Sequence, residues 1–141
     1  MKALFDTSVL VATFLGDHEH HGPSLNAFLR YAPREAGCAA HSLAEFYAVL
    51  TRLPGKHRVL PDHAMLFVGE LRARLALVAL DGDEYCDVLE HASADAIAGG
   101  AIYDALVVQC AVKAQAEIIY TWNAKHFEII ARGAGKRIRV P

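Results

Sequence analysis

Four side chains in this 141-residue chain are of the type and in the setting to gather around a hard cation: Asp6, Glu45, Asp104 and Asn123. Asp6 ends the apolar run Ala3-Leu4-Phe5 and hands over to Val9-Leu10-Val11, the start of a helix. Glu45 and Asp104 lie near the starts of two further helices, and Asn123 follows the apolar run Ile118-Ile119-Tyr120. Each has a structural explanation when taken alone. Asp6 and Asn123 could cap the helices behind them. Ser42 and Glu45 stand in Ser-x-x-Glu spacing, a capping box in which Glu45 only ties down a helix start. Asp104 sits in a first turn, where the helix dipole favours negative charge. Their joint placement is harder to explain, because strand ends and following helix starts lie along one edge of a parallel sheet with right-handed crossovers.

Clustered buried carboxylates without a counter-charge have raised pKa values and cost stability. A hard divalent cation removes that cost, and Mg²⁺ or Mn²⁺ prefers carboxylate oxygens and water. Such an ion suits phosphodiester cleavage, since it activates water and stabilises charge on the phosphate. Competing chemistries lack motifs. The chain has no Ser–His–Asp ordering, P-loop or Gly-x-Gly-x-x-Gly. A dehalogenase-type phosphatase needs a second acid two residues after the first, and that position is Ser8. The turn Gly16–Pro23 holds His18, His20 and His21 and reads as solvated, with no partner at zinc-site spacing.

The elements that must position these residues follow from periodicity. Strands are expected at Ala3–Phe5, Ala36–Ala40, Leu75–Leu80, Glu117–Thr121 and, at an edge, Lys136–Val140. Helices are expected between them, at Ser24–Tyr31, His41–Leu50, Asp62–Leu75, Glu84–Ala94 and Ala101–Val112, with a last one opening at Trp122. Leu66, Phe67 and Leu71 are assigned to the inward face of the helix from Asp62, and Val88, Leu89 and Ala92 to that of the helix from Glu84. Strands alternating with helices predict an α/β class, a three-layer α/β/α sandwich on a mostly parallel sheet of about five strands, and one domain over residues 1–141. A hydrophobic fraction of 54% supports a sizeable core. A net charge of −2 does not advertise a nucleic-acid binder, so any such role must rest on local groups. Cys38, Cys86 and Cys110 show no Cys-x-x-Cys spacing and read as reduced core thiols. With no signal-peptide pattern and no membrane-length apolar run, a cytoplasmic location and no membrane partner are expected.

Four segments together resemble PIN domains. Phe5-Asp6-Thr7-Ser8-Val9-Leu10 is similar to the opening motif, Ser42-Leu43-Ala44-Glu45-Phe46-Tyr47 to the second and Gly100-Ala101-Ile102-Tyr103-Asp104-Ala105-Leu106 to the third. Thr121-Trp122-Asn123-Ala124-Lys125-His126-Phe127 is similar to the fourth. At this length the chain resembles the VapC toxins of VapBC toxin–antitoxin pairs. The resemblance implies a Mg²⁺- or Mn²⁺-dependent endoribonuclease acting on RNA, held in check by a VapB-like antitoxin and forming a homodimer. It implies Asp6, Glu45 and Asp104 as metal-binding carboxylates and Thr7 and Thr121 as supporting hydroxyls. Asn123 completes the set where the family often has Asp, so it brings no charge.

Arg52, Lys56, Arg58 and Lys125, with His126, flank this pocket in sequence and are read either as phosphate contacts or as solvated loop charge. Tyr103 and Trp122 are read as core or rim packing, with base stacking as the alternative. Two other functions fit the same residues: a catalytically weak PIN-like binding module, which Asn123 favours, and a metal-dependent phosphatase.

Overall fold

The computed structural model describes residues 1–141. Five short strands, β1 (Ala3–Phe5), β2 (Ala36–Ala39), β3 (Ala76–Val78), β4 (Ile118–Tyr120) and β5 (Arg137–Arg139), form one sheet in the order β3-β2-β1-β4-β5. Every pairing is parallel. The helices are α1 (Thr7–Phe14), α2 (His21–Leu29), α3 (Ala40–Thr51), α4 (Pro61–Arg74), α5 (Gly82–Ala94), α6 (Ala101–Lys113) and α7 (Ala124–Ile130). A single 3₁₀ turn spans Gly55–His57.

Strand alternation divides the core between the two faces of the sheet. Ala3 and Phe5 of β1, Ala36 and Cys38 of β2 and Tyr120 of β4 join a cluster with buried residues of α1 to α4, among them Leu10, Phe28, Phe46 and Leu71. Leu4, Ala39 and Ile119, the intervening positions, join Val107, Cys110 and Ala111 of α6 and Phe127 of α7 on the other side. The result is the expected α/β/α sandwich. Phe5 is fully buried and packs on Phe28 and Tyr120 at ring separations of 5.9 and 5.5 Å. Truncating such a side chain to Ala costs about 3–5 kcal/mol. The small residues of β2 also have a cause: a Cβ on Gly37 would collide with the carbonyl oxygen of Ala76 in the adjacent strand.

Several expectations need correcting. The capping box is not at Ser42 and Glu45, because α3 begins at Ala40, directly after β2, and no side chain caps it. A capping box does form at Asp81 and Glu84, where each side chain accepts from the other's backbone N–H at 2.9 and 2.7 Å. Leu66 is 68% exposed and Leu89 52% exposed. Leu71, Val88 and Ala92 are buried as expected, and the inward stripes are Ala64, Val68 and Leu71 on α4 and Val88 and Ala92 on α5, at spacings of three and four residues. Cys86 is exposed, whereas Cys38 and Cys110 are buried. Burial pushes the Cys38 thiol up to about 12.

The strand order reverses direction between β1 and β4. In an open parallel sheet this switch point opens a crevice beyond the carboxyl ends of the strands.

Candidate active site

The crevice is built first by register. Phe5 of β1 faces Tyr120 of β4, so the next residues, Asp6 and Thr121, emerge side by side. The Asp6 N–H donates to the Tyr120 carbonyl at 2.9 Å, continuing the ladder one step past the strands. Asp6 is only 5% exposed, and its Oδ2 collects every hydrogen bond the carboxylate makes. The Ser8 hydroxyl donates at 2.7 Å, the Thr121 hydroxyl at 2.9 Å and the Ser8 N–H at 3.4 Å. The last contact makes Asp6 the N-cap of α1.

The two hydroxyls do more than solvate Asp6. Ser8 Oγ accepts the Trp122 N–H at 3.1 Å, and Thr121 Oγ1 accepts the Asn123 N–H at 3.0 Å. The turn after β4 is thereby clamped to the carboxylate through two side chains, while Asp6 Oδ1 is left without a protein partner.

Glu45, Asp104 and Asn123 line the same cleft as Asp6 and Thr7, a volume of about 400 Å³. Burial, and then the negative charge of Asp6, pushes the pKa values of both Glu45 and Asp104 upward. Asp104 is partly relieved by His126, whose Nδ1 lies 2.8 Å from Asp104 Oδ2. These are the marks of carboxylates held together against their own repulsion. Such perturbed groups in a cleft are candidates for function.

A PIN-domain family profile matches residues 3–133. The chain belongs to the PIN-domain family. Ribonuclease VapC40 of Mycobacterium tuberculosis is 39% identical over 114 residues, which are 81% of each chain. Ribonuclease VapC27 of the same organism is 38% identical over 114 residues, covering 80% of this chain and 79% of its own. Among solved structures, VapC20 of M. tuberculosis, a sarcin-ricin-loop-cleaving toxin, superposes with a TM-score of 0.73 over 94% of this chain and 95% of its own, at 16% identity. This is a VapC-type PIN domain.

The donor set of this PIN domain fits a hard cation. It offers carboxylate oxygens with no thiol among them, and the Thr7 hydroxyl is buried there with no hydrogen-bond partner. No three His, Cys, Asp or Glu side chains form a ready-made cage. Mg²⁺ does not need one, since it uses one or two carboxylates and keeps several waters. Asn123 is exposed at the rim, and its side chain caps nothing.

The expected cationic residues lie elsewhere. Arg52, Lys56, Arg58 and Lys125 do not line the acidic cleft. Arg52 lines a neighbouring groove of about 530 Å³ with His41, Tyr85 and Tyr103, and Glu45 borders both. Arg58 is turned back onto the Leu53 carbonyl, at 3.1 Å. Sequence reasoning passed over Ser8 except as a missing acid. It also read the histidine turn as solvated, yet His18, Glu19 and His20 line the cleft with Trp122. A Ser two residues after a capping Asp was a usable local signal; the histidine–tryptophan contact had none.

Proposed function

We propose that this PIN domain is a Mg²⁺- or Mn²⁺-dependent endoribonuclease, the toxin of a VapBC-type pair, and that it hydrolyses RNA phosphodiester bonds. The observation that carries the reading is the convergence of Asp6, Glu45 and Asp104 on one cleft, with Asp6 Oδ1 free and Oδ2 saturated by donors. Those three carboxylates would hold the ion. When bound, it supplies Lewis acidity toward the phosphate and lowers the pKa of water for in-line attack.

The chain's own groups set the geometry. Ser8 and Thr121 fix the plane of the Asp6 carboxylate, and His126 orients Asp104. Partners of this kind typically contribute 10–100-fold to metal affinity or activity. Asn123, neutral at the rim, contributes an amide to the phosphate or to a water rather than charge to the ion.

The partner we assign is a VapB-like antitoxin, alongside a second copy of this chain. Support for the former comes from VapBC2 of Rickettsia felis, solved bound to a DNA fragment from their promoter, whose fold matches with a TM-score of 0.67 at 14% identity, over 100% of this chain and 99% of its own. No helix is long and apolar enough to cross a membrane.

The deciding experiment incubates purified, antitoxin-free protein with total RNA in Mg²⁺, in Mn²⁺ and in EDTA, beside Asp104→Asn. Discrete fragments that need metal and vanish in the variant are expected. Metal binding without cleavage by the wild type would instead favour a binding module, the reading that the uncharged, exposed Asn123 supports.

A further inference from the structure

The acidic cleft has a second wall made of rings. The imidazole of His20 lies flat on the indole of Trp122, with ring centroids 3.7 Å apart and planes 9° from parallel. The His18 ring lies beside the pair, its centroid 5.7 Å from that of His20 and its plane tilted by 43°. The stack is anchored from both ends. Trp122 Nε1 donates to Ser24 Oγ at 2.9 Å, and the Trp122 N–H donates to Ser8 Oγ, the same hydroxyl that holds Asp6. In the loop, the His20 N–H donates to His18 Nδ1 at 3.0 Å and His21 Nδ1 pairs with the Ala12 carbonyl at 2.9 Å. An exposed turn does not need this much fixing to be a connector. Because His18 Nδ1 accepts, the proton of its neutral ring sits on Nε2.

Binding RNA here poses an electrostatic problem. The chain carries a net charge of −2, four carboxylates (Asp6, Glu19, Glu45 and Asp104) line the cleft, and no Lys or Arg does. Charge on the protein therefore supplies little grip inside the cleft, unlike the usual phosphate-dominated interface. Aromatic faces bind unpaired bases without charge and with little regard to sequence. The His20–Trp122 pair is the ring surface that borders the acids.

We propose that the His20–Trp122 stack is a base-stacking subsite that takes an unpaired nucleobase of the RNA next to the phosphodiester held at the acids. The proposal rests on the ribonuclease reading and names the substrate as unpaired RNA. His20 contributes the outer face, its side chain being 37% exposed. Trp122 backs it, and the tie through Ser8 sets the distance from stacked base to acidic centre.

The test uses His20→Ala and His20→Phe, which alter a half-exposed loop side chain and leave the Trp122–Ser24 anchor in place. On an RNA cut site mapped with the wild type, His20→Ala should raise KM about tenfold with kcat within about twofold, and His20→Phe should restore KM. An abasic nucleotide beside the cut should cost the wild type a similar factor and cost His20→Ala nothing further. A readout without turnover comes from Trp122, the single tryptophan in the chain. Its fluorescence should report binding of a short unstructured RNA of mixed sequence about tenfold weaker in His20→Ala than in the wild type or His20→Phe. Equal KM and equal binding in the wild type and His20→Ala overturn the subsite while leaving the ribonuclease standing. Tight binding that depends on His20, with no cleavage under any metal, overturns the ribonuclease and keeps the subsite. Failure of the wild type to bind unpaired RNA overturns the subsite.

Discussion

The ends of β1 and β4 lie side by side and meet the cleft in opposite ways. At the end of β1 the acid itself is buried, caps a helix and accepts three hydrogen bonds on one oxygen. At the end of β4 the family's fourth position, Asn123, is exposed and its side chain caps nothing. The buried residue there is Thr121, which is fully enclosed and joins Asp6 to the turn. The contrast shows that β4 serves the site through a hydroxyl and main-chain groups, not through charge at the strand end. Asp104 carries a histidine partner and a raised pKa, whereas Asn123 brings neither charge nor a capping contact.

This asymmetry can be broken or sharpened by substitution, beginning with the largest effect. Asp6→Asn should lower metal-dependent cleavage by about a thousandfold, the equivalent of several kcal/mol of lost charge stabilisation at the phosphate. Single-turnover cleavage of a mapped RNA measures it, and activity within tenfold of wild type would mean that β1 is not the privileged end. Thr121→Val should cost about 10–100-fold in metal affinity or activity. It should also lower stability by about 1–3 kcal/mol in urea unfolding, because the Asp6 carboxylate and the Asn123 N–H both lose a buried partner.

Asp104→Asn has a two-sided outcome. It removes one member of a repelling set, so in EDTA the variant should melt higher than wild type by about 3 °C, the equivalent of roughly 1 kcal/mol. Added Mg²⁺ should raise the wild-type Tm and leave the variant's nearly unchanged, as expected when an ion binds only the folded wild type. A variant that melts lower in EDTA would show that the His126 contact outweighs the repulsion. The smallest effect belongs to the β4 end. Asn123→Ala should change cleavage by no more than about threefold and stability by less than about 0.5 kcal/mol, as an exposed side chain without partners. A hundredfold loss would make Asn123 the equal of Asp6 and erase the distinction.

Much of this frame could be read locally. The run Ala3-Leu4-Phe5-Asp6 followed by Val9-Leu10-Val11 switches from a buried strand to a helical pattern with an acid at the junction, and Asp104 interrupts an otherwise apolar helix. Other positions misled for reasons that are also local. Ser42 and Glu45 have capping-box spacing, but α3 starts two residues before Ser42, so the serine lies inside the helix with its hydroxyl buried and unpartnered. Glu45 is thereby free for the cleft. Arg52, Lys56, Arg58 and Lys125 are near the motifs in sequence, yet none lines the acidic cleft: Arg52 shares the neighbouring groove with Glu45, and Arg58 turns back onto the Leu53 carbonyl. Cys86 shares an apolar-looking segment with Val88 but lies on the other side of α5.

What the amino-acid sequence determined by itself is the alternation of strand and helix and the placing of an acid or amide at each junction, because periodicity and capping act over a few residues. The tertiary structure decided which donors hold Asp6 and which rings face it. Thr121 reaches Asp6 only because β1 pairs with β4 in the register Phe5 to Tyr120. A slip of one residue would turn that hydroxyl to the opposite face of the sheet. His20 meets Trp122 only because the α1–α2 turn and the β4–α7 turn close over the same strand ends. Contacts across a hundred residues of chain depend on packing, and no local pattern records them.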